Sequence, residues 1–221
     1  MDNYKKLKFT DGTEYPVGTI YCIGQNYAKH ALEMGSTVAE NPTIFIKPPS
    51  AFIEDNEMIV LPDFSSNVHY EVELVVLIGK DCKEIDENLA WEYIAGYAVG
   101  IDVTLRDIQN QAKKEGKPWA VAKGFFSSAP ISKFIKQNVF GSKIPFFDLK
   151  LYVNNELKQY GSTKEMERTV ANLIKYLANV FSLRKGDLIF TGTPAGVGQI
   201  KTGDKIEAEL TGFSKLYVGV K

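Results

Sequence analysis

The chain reads as a mostly β protein with a few helices, of the α+β class, on three observations. Runs rich in β-branched and aromatic residues recur at 43–46, 71–78, 94–101, 147–153, 187–190, 205–210 and 215–220. Turn signals such as Lys185-Gly186-Asp187 and Thr202-Gly203-Asp204 separate several of them. Only three segments show helical spacing. Met166, Val170, Ile174, Leu177 and Phe181 recur every three or four residues, which predicts a helix over 163–181 with one buried stripe. A shorter helix is expected over 27–34, stopped by Gly35. The third should begin after Asp102, where Thr104-Leu105-Arg106-Asp107 has the form of a capping box, and end near Glu115 before Gly116 and Pro118.

No repeat or linker divides the 221 residues, so one domain over 1–221 is expected, with 1–16 a short lead-in. A net charge of −1 with mixed signs gives no basic stripe, which argues against a nucleic-acid partner and for a small ligand. Two cysteines are too few for a disulfide framework and fit a reducing compartment. The opening Met1-Asp2-Asn3-Tyr4-Lys5-Lys6 has no apolar signal core, and no apolar run approaches the ~20 residues of a membrane span, so the cytoplasm is the expected location, with no membrane partner.

The most informative stretch is His69-Tyr70-Glu71-Val72-Glu73, which runs into Leu74-Val75-Val76-Leu77-Ile78. Strand side chains alternate faces, so Glu71 and Glu73 point the same way, about 7 Å apart along the axis. Two like charges entering a core strand repel and lose hydration, at a cost of several kcal/mol per ion unless a positive partner compensates. A third carboxylate, Asp102, ends the apolar run 94–101. An Asp at such a junction commonly caps the helix; with Thr104 in the capping position, Asp102 is free for other work. Three carboxylates without thiolates suit Mg²⁺ or Mn²⁺ better than zinc. His69 shares that face, but is better read as hydrogen-bonded at the strand start, since Mg²⁺ prefers oxygen.

His30 and Glu33, three apart on the short helix, form either a surface ion pair or a general-base pair in which the carboxylate fixes the imidazole tautomer. Arg106 and Gln109 have the same spacing and either reach an organic anion near Asp102 or lie on a solvated helix face, Arg106 pairing Asp107. Lys123, inside an apolar segment, must neutralise or find an anion, as a functional cation or as counter-charge to the carboxylates. Lys47, before Pro48-Pro49, has the same two readings. The glycine-rich stretch 191–198 lacks a P-loop lysine and any helix pattern after it, which excludes nucleotide binding. Its glycines allow a tight bend and could bring backbone N–H groups and Thr193 to a substrate carboxylate.

Gly24-Gln25-Asn26-Tyr27 with His30 and Glu33, then Lys47-Pro48, His69-Tyr70-Glu71-Val72-Glu73, Asp102 with Arg106 and Gln109, Lys123-Gly124 and the 191–198 stretch together resemble the fumarylacetoacetate hydrolase family, over nearly the whole chain from about Val17. The chain looks most like the short branch of acylpyruvate hydrolases and oxaloacetate-handling enzymes. The resemblance implies a mixed β-sandwich roll of the fumarylacetoacetase C-terminal type and a homodimer. It implies Mg²⁺ or Mn²⁺ on Glu71, Glu73 and Asp102, a His30–Glu33 catalytic dyad, Lys123 at the reacting centre, and Lys47, Arg106, Gln109 and Thr193 as substrate contacts. Long members place a fourth acidic ligand where Ile23 stands, so the metal here should keep more water. The implied substrate is a small 2-oxo acid. The leading expectation is hydrolysis of an acylpyruvate to pyruvate and a carboxylic acid. The alternatives are an oxaloacetate decarboxylase or keto-enol tautomerase, an isomerase of 2-hydroxyhepta-2,4-diene-1,7-dioate type, and, in a different class, a non-catalytic metal- or dicarboxylate-binding protein.

Overall fold

Two sheets carry the fold of the computed structural model, which describes residues 5–221. The first four residues, with the start of the lead-in and of the segment read for a signal core, lie outside that range. The larger sheet has six strands in the order Ile135–Lys136, Ile94–Ile101, Val72–Ile78, Leu188–Phe190, Ile20–Gly24 and Thr43–Lys47. It is mixed, with Leu188–Phe190 parallel to Ile20–Gly24 and antiparallel to Val72–Ile78. The second sheet has five: Glu156–Ser162, Asp148–Val153, Lys205–Leu210, Ser214–Val220 and Met58–Ile59.

Every residue of Val72–Ile78 is buried, because both faces of this central strand are covered. Val72, Leu74 and Val76 point into a large core shared with Leu149, Leu151, Ala208, Leu210 and Leu216 of the five-stranded sheet. Val75 and Leu77 point to the other face, into a smaller core with Ile20, Cys22, Phe52, Leu188 and Phe190. Glu71 and Glu73 are in phase with Val75 and Leu77, so the pleat aims both carboxylates at this second side.

Four α-helices accompany the sheets: α1 (Ala28–Glu33), α2 (Arg106–Glu115), α3 (Ala120–Lys123) and α4 (Val170–Phe181). The first stops before Gly35 (φ +65°) and the second at Gly116 (φ +64°), where glycine takes the left-handed conformation cheaply. Two helix expectations need correction. The segment 163–181 is not one helix: Thr163–Glu165 is a single 3-10 turn, and α4 begins only at Val170. Asn26 interrupts it, accepting the backbone N–H of Glu167 at its carbonyl (3.0 Å) and that of Arg168 at its side chain (2.9 Å), after which Thr169 caps α4 through the N–H of Asn172. Nor does Thr104 cap α2. It lies in a short strand paired with His69, while Leu105 holds the cap position without a side-chain bond.

The strand expectations match within a residue or two; Glu71 itself falls outside, between Val68–Tyr70 and Val72–Ile78. Two substantial strands were not anticipated, Ile20–Gly24 and Glu156–Ser162. The latter closes a hairpin on Asn154-Asn155, both at positive φ (51° and 67°), a favoured hairpin-turn pair. No helix among the described residues is long and apolar enough to cross a membrane.

Candidate active site and metal centre

The site forms where the chain changes sheets. Val68–Tyr70 pairs with Thr104–Leu105 and Gly198–Gln199 in a small three-stranded sheet, whereas Val72 onward belongs to the large one, so Glu71 is the residue at the crossing. Val72 pairs with Ile101 at the end of the antiparallel ladder, which places Asp102 beside Glu71; the Asp102 N–H donates to the Glu71 carbonyl at 2.8 Å. Two carboxylates from distant sequence thus meet at one strand end, with Glu73 one pleat repeat inside. One oxygen from each of Glu71, Glu73 and Asp102 lies within 4.8 Å of the others, and all three residues are buried.

Three buried cations accompany them. Lys123, 2% exposed, donates from Nζ to Glu71 (2.9 Å), Asp102 (2.6 Å) and the Thr104 hydroxyl (2.6 Å). Arg106 donates to Glu71 from one guanidinium nitrogen and to Gln109 Oε1 from another, at 2.6 Å. Lys47, fully buried, stands 2.8 Å from Asp102 Oδ1 but directs its hydrogens to the carbonyls of Val103 and Lys123. Asp102 Oδ1 is consequently a buried carboxylate oxygen with no hydrogen bond.

The compensation is uneven. Burial favours the neutral form of Glu71, yet Lys123 and Arg106 outweigh it and hold this carboxyl well below the usual carboxylate range. Glu73 is pushed well above that range by burial and by the charges of Asp102 and Glu71, against which it has the Gly192 N–H at 2.6 Å. Burial opposes the charge on Lys123, but Asp102 and Glu71 raise its pKa all the same. A divalent cation fits this donor set: three hard oxygen donors, one oxygen without a hydrogen bond and one carboxylate short of positive charge. Glu71, Glu73 and Asp102 can therefore hold Mg²⁺ or Mn²⁺.

The carboxylates open onto a cleft. His30, Arg106, Gln109, Lys123 and Thr193 line it, as does Ile23 at the position discussed for a fourth acid. His30 is no surface residue: it is 7% exposed, with Nδ1 3.2 Å from Glu33 Oε2. Arg106 does not pair with Asp107, whose carboxylate instead accepts from Ser65 and from the N–H groups of Ser66 and Ile108. Lys47 is the exception among the expected substrate contacts. It sits behind Asp102 and is absent from the cleft wall, which leaves the counter-charge reading. His69 bonds Asn67 at 2.8 Å, and burial together with Arg106 lowers its pKa, as suits a neutral structural imidazole.

Two amides of the 191–198 loop are bonded to protein carboxylates. The Gly192 N–H donates to Glu73, and the Gly196 N–H donates to both oxygens of Glu33 at 3.2 Å. Both glycines have φ +98°. A Cβ on Gly192 would stand 2.8 Å from that of Asn26. Sequence reasoning passed over Gln159, which is 1% exposed and 87 residues from the strand it serves. It accepts the Val72 N–H at 2.9 Å and donates to Thr193 Oγ1 and the Pro194 carbonyl, both at 2.9 Å. It also passed over Lys113, Trp119 and Phe45 on the cleft wall. The helical spacing 106, 109, 113 was the available signal for Lys113.

A mixed sandwich with three buried carboxylates at a sheet crossing, beside a histidine–glutamate pair, defines a protein class built around a site that can hold a divalent metal. The chain belongs to the fumarylacetoacetate hydrolase family, whose C-terminal domain model matches residues 19–221. It is 44% identical to the mitochondrial oxaloacetate tautomerase FAHD1 of Mus musculus over 205 residues, 91% of each chain. It is 43% identical to the oxaloacetate tautomerase YcgM of Escherichia coli over 201 residues, 91% of this chain and 92% of the relative. The crystal structure of fumarylpyruvate hydrolase from Pseudomonas aeruginosa, in complex with Mn²⁺ and pyruvate, superposes with a TM-score of 0.95 at 36% identity, covering all of this chain and 97% of the other.

Proposed function

We propose that the protein is a divalent-metal-dependent enzyme of small 2-oxo acids and that its reaction is the keto-enol tautomerisation of oxaloacetate. The observation that carries this reading is the buried triad Glu71, Glu73 and Asp102 opening onto the same cleft as His30, in a chain more than 40% identical to two oxaloacetate tautomerases along nearly its whole length. Bound there, a divalent cation supplies Lewis-acid polarisation of the substrate's 2-oxo group. Glu33 faces Nδ1 of His30, which leaves Nε2 as the nitrogen that exchanges protons. In the keto-to-enol direction, the C3–H bond breaks and its proton passes to His30, C2=C3 forms as the C2–O π pair moves onto oxygen, and that oxygen takes a proton from water, to which His30 returns its own. Lys123 holds positive charge beside that developing oxyanion, and Arg106 with Gln109 orients the carboxylate.

Hydrolysis of an acylpyruvate is the second reading, favoured by the likeness to a fumarylpyruvate hydrolase. There His30 takes a proton from water, the hydroxide adds to the C4 carbonyl, the C3–C4 bond breaks, and C3 recovers a proton. The dyad serves both reactions, so the substrate decides between them. The test follows ultraviolet absorbance of enol oxaloacetate, with and without Mg²⁺, beside pyruvate release from acetylpyruvate and fumarylpyruvate. Metal-dependent loss of the enol signal without pyruvate formation is the expected result. Rapid pyruvate release from an acylpyruvate with no effect on the enol would move the assignment to hydrolysis, and no turnover of any of the three would leave a binding protein.

A further inference from the structure

We propose that Lys113 is a subsite for the second carboxylate of the substrate, so that the cleft prefers 2-oxo dicarboxylates over 2-oxo monocarboxylates; this rests on the 2-oxo acid reading of the site. Arg106, Gln109 and Lys113 follow one another at spacings of three and four on α2 and therefore share one face, on which Arg106 and Gln109 are buried and Lys113 is exposed. All three line the cleft that the metal-site carboxylates open onto.

The cations on that wall are not equivalent. Arg106 is bonded to Glu71, and Lys123 to Glu71 and Asp102, so each shares its charge with a protein carboxylate. Lys113 has no ion-pair or hydrogen-bond partner among the described residues. Its ammonium lies 5.3 Å from the centre of the Trp119 ring, which also lines the cleft and offers it a π face but no counter-charge. Though its side chain is exposed overall, partial burial and the like charges of Arg106 and Lys123 depress its pKa. An exposed cation without a counter-charge, held on an aromatic face in a cleft wall, can receive a carboxylate. On the 2-oxo acid reading, the triad with its metal, Arg106 and Gln109 takes the first carboxylate and the adjacent oxo group. A substrate carrying a second carboxylate beyond the reacting carbons would present it to Lys113, whichever of the two reactions the site performs.

The experiment compares binding of pyruvate and oxaloacetate to the Mg²⁺-loaded protein through quenching of its tryptophan fluorescence, for wild type, Lys113→Met and Lys113→Arg. The exposed position of Lys113 lets both variants fold, which melting curves verify. Wild type should bind oxaloacetate more tightly than pyruvate. Lys113→Met should weaken oxaloacetate about tenfold while leaving pyruvate within about twofold, and Lys113→Arg should keep most of the preference. An equal loss for both ligands, or no loss for either, overturns the subsite and leaves the 2-oxo acid reading intact. A wild-type protein that binds neither ligand overturns that reading and the subsite with it.

Discussion

Glu73 and His30 line the same cleft but do different work, and single substitutions separate them. Glu73→Gln removes one of three hard donors and should weaken Mg²⁺ binding by tenfold or more in titration calorimetry, in line with the role of carboxylates in such sites. His30→Ala should leave that affinity within about twofold while lowering turnover by about 10²- to 10⁴-fold, the usual worth of a general base. Loss of metal binding in His30→Ala would make the histidine a ligand. Gly192 is constrained twice, by φ +98° and by the close approach of Asn26. Gly192→Ala should destabilise the fold by about 1–3 kcal/mol in urea unfolding and also weaken metal binding, since the Gly192 N–H is bonded to Glu73. The residues themselves were largely legible: the Glu-x-Glu spacing and Asp102 were visible because carboxylates are rare next to long apolar runs. Lys47 and Lys123 were recognisable as buried cations for the same reason, but which of them faces the cleft depends on packing that no local pattern encodes.

At the scale of elements, Gln159 joins the Glu156–Ser162 strand of one sheet to the changeover in the other. Gln159→Leu strands the Val72 N–H, the Thr193 hydroxyl and the Pro194 carbonyl in the interior, each at about 1–3 kcal/mol. We expect reduced stability and weaker metal binding together, with Gln159→Glu recovering part of both because it still accepts from Val72. Asp107 anchors the first turn of α2 to Ser65 and Ser66. Although burial acts to raise its pKa, the Ser65 hydroxyl and the N–H groups of Ser66 and Ile108 hold it below the ordinary aspartate value. A depressed folded-state pKa stabilises above the unfolded-state value and is lost as pH falls through the folded one. Asp107→Asn should therefore be less stable than wild type near pH 7, by about 1 kcal/mol, with the two melting curves converging in acid. Element types were readable from periodicity, whereas the break before α4 was not. The capping Thr169 was in plain view, but Asn26, which interrupts the helical stripe, lies 142 residues away from Arg168.

For the whole molecule, the metal belongs to the stability ledger as well as to the chemistry. Three carboxylates meet only in the folded chain, so ligation should raise the melting temperature. At a free Mg²⁺ or Mn²⁺ concentration of about 100 times Kd the gain is about 2.7 kcal/mol, and a chelator should reverse it in differential scanning calorimetry. An unchanged transition would mean that the triad does not bind the ion. Architecture was predictable as far as mostly-β with three helical regions, because alternation and turn chemistry are local. The division into two facing sheets came only through the family resemblance, since local pattern cannot show that Val72–Ile78 is covered on both sides. A run of seven consecutive buried residues conceals which of its faces meets which core.

The 191–198 loop grips Glu73 at one end and Glu33 at the other. Its length thus fixes the distance between a metal-site carboxylate and the partner of His30, and an insertion there would shift both at once. Lys113 and Trp119, on the same cleft wall as Arg106, make no hydrogen bond to either carboxylate. New substrate preferences can be engineered at those two positions while the chemistry stays put.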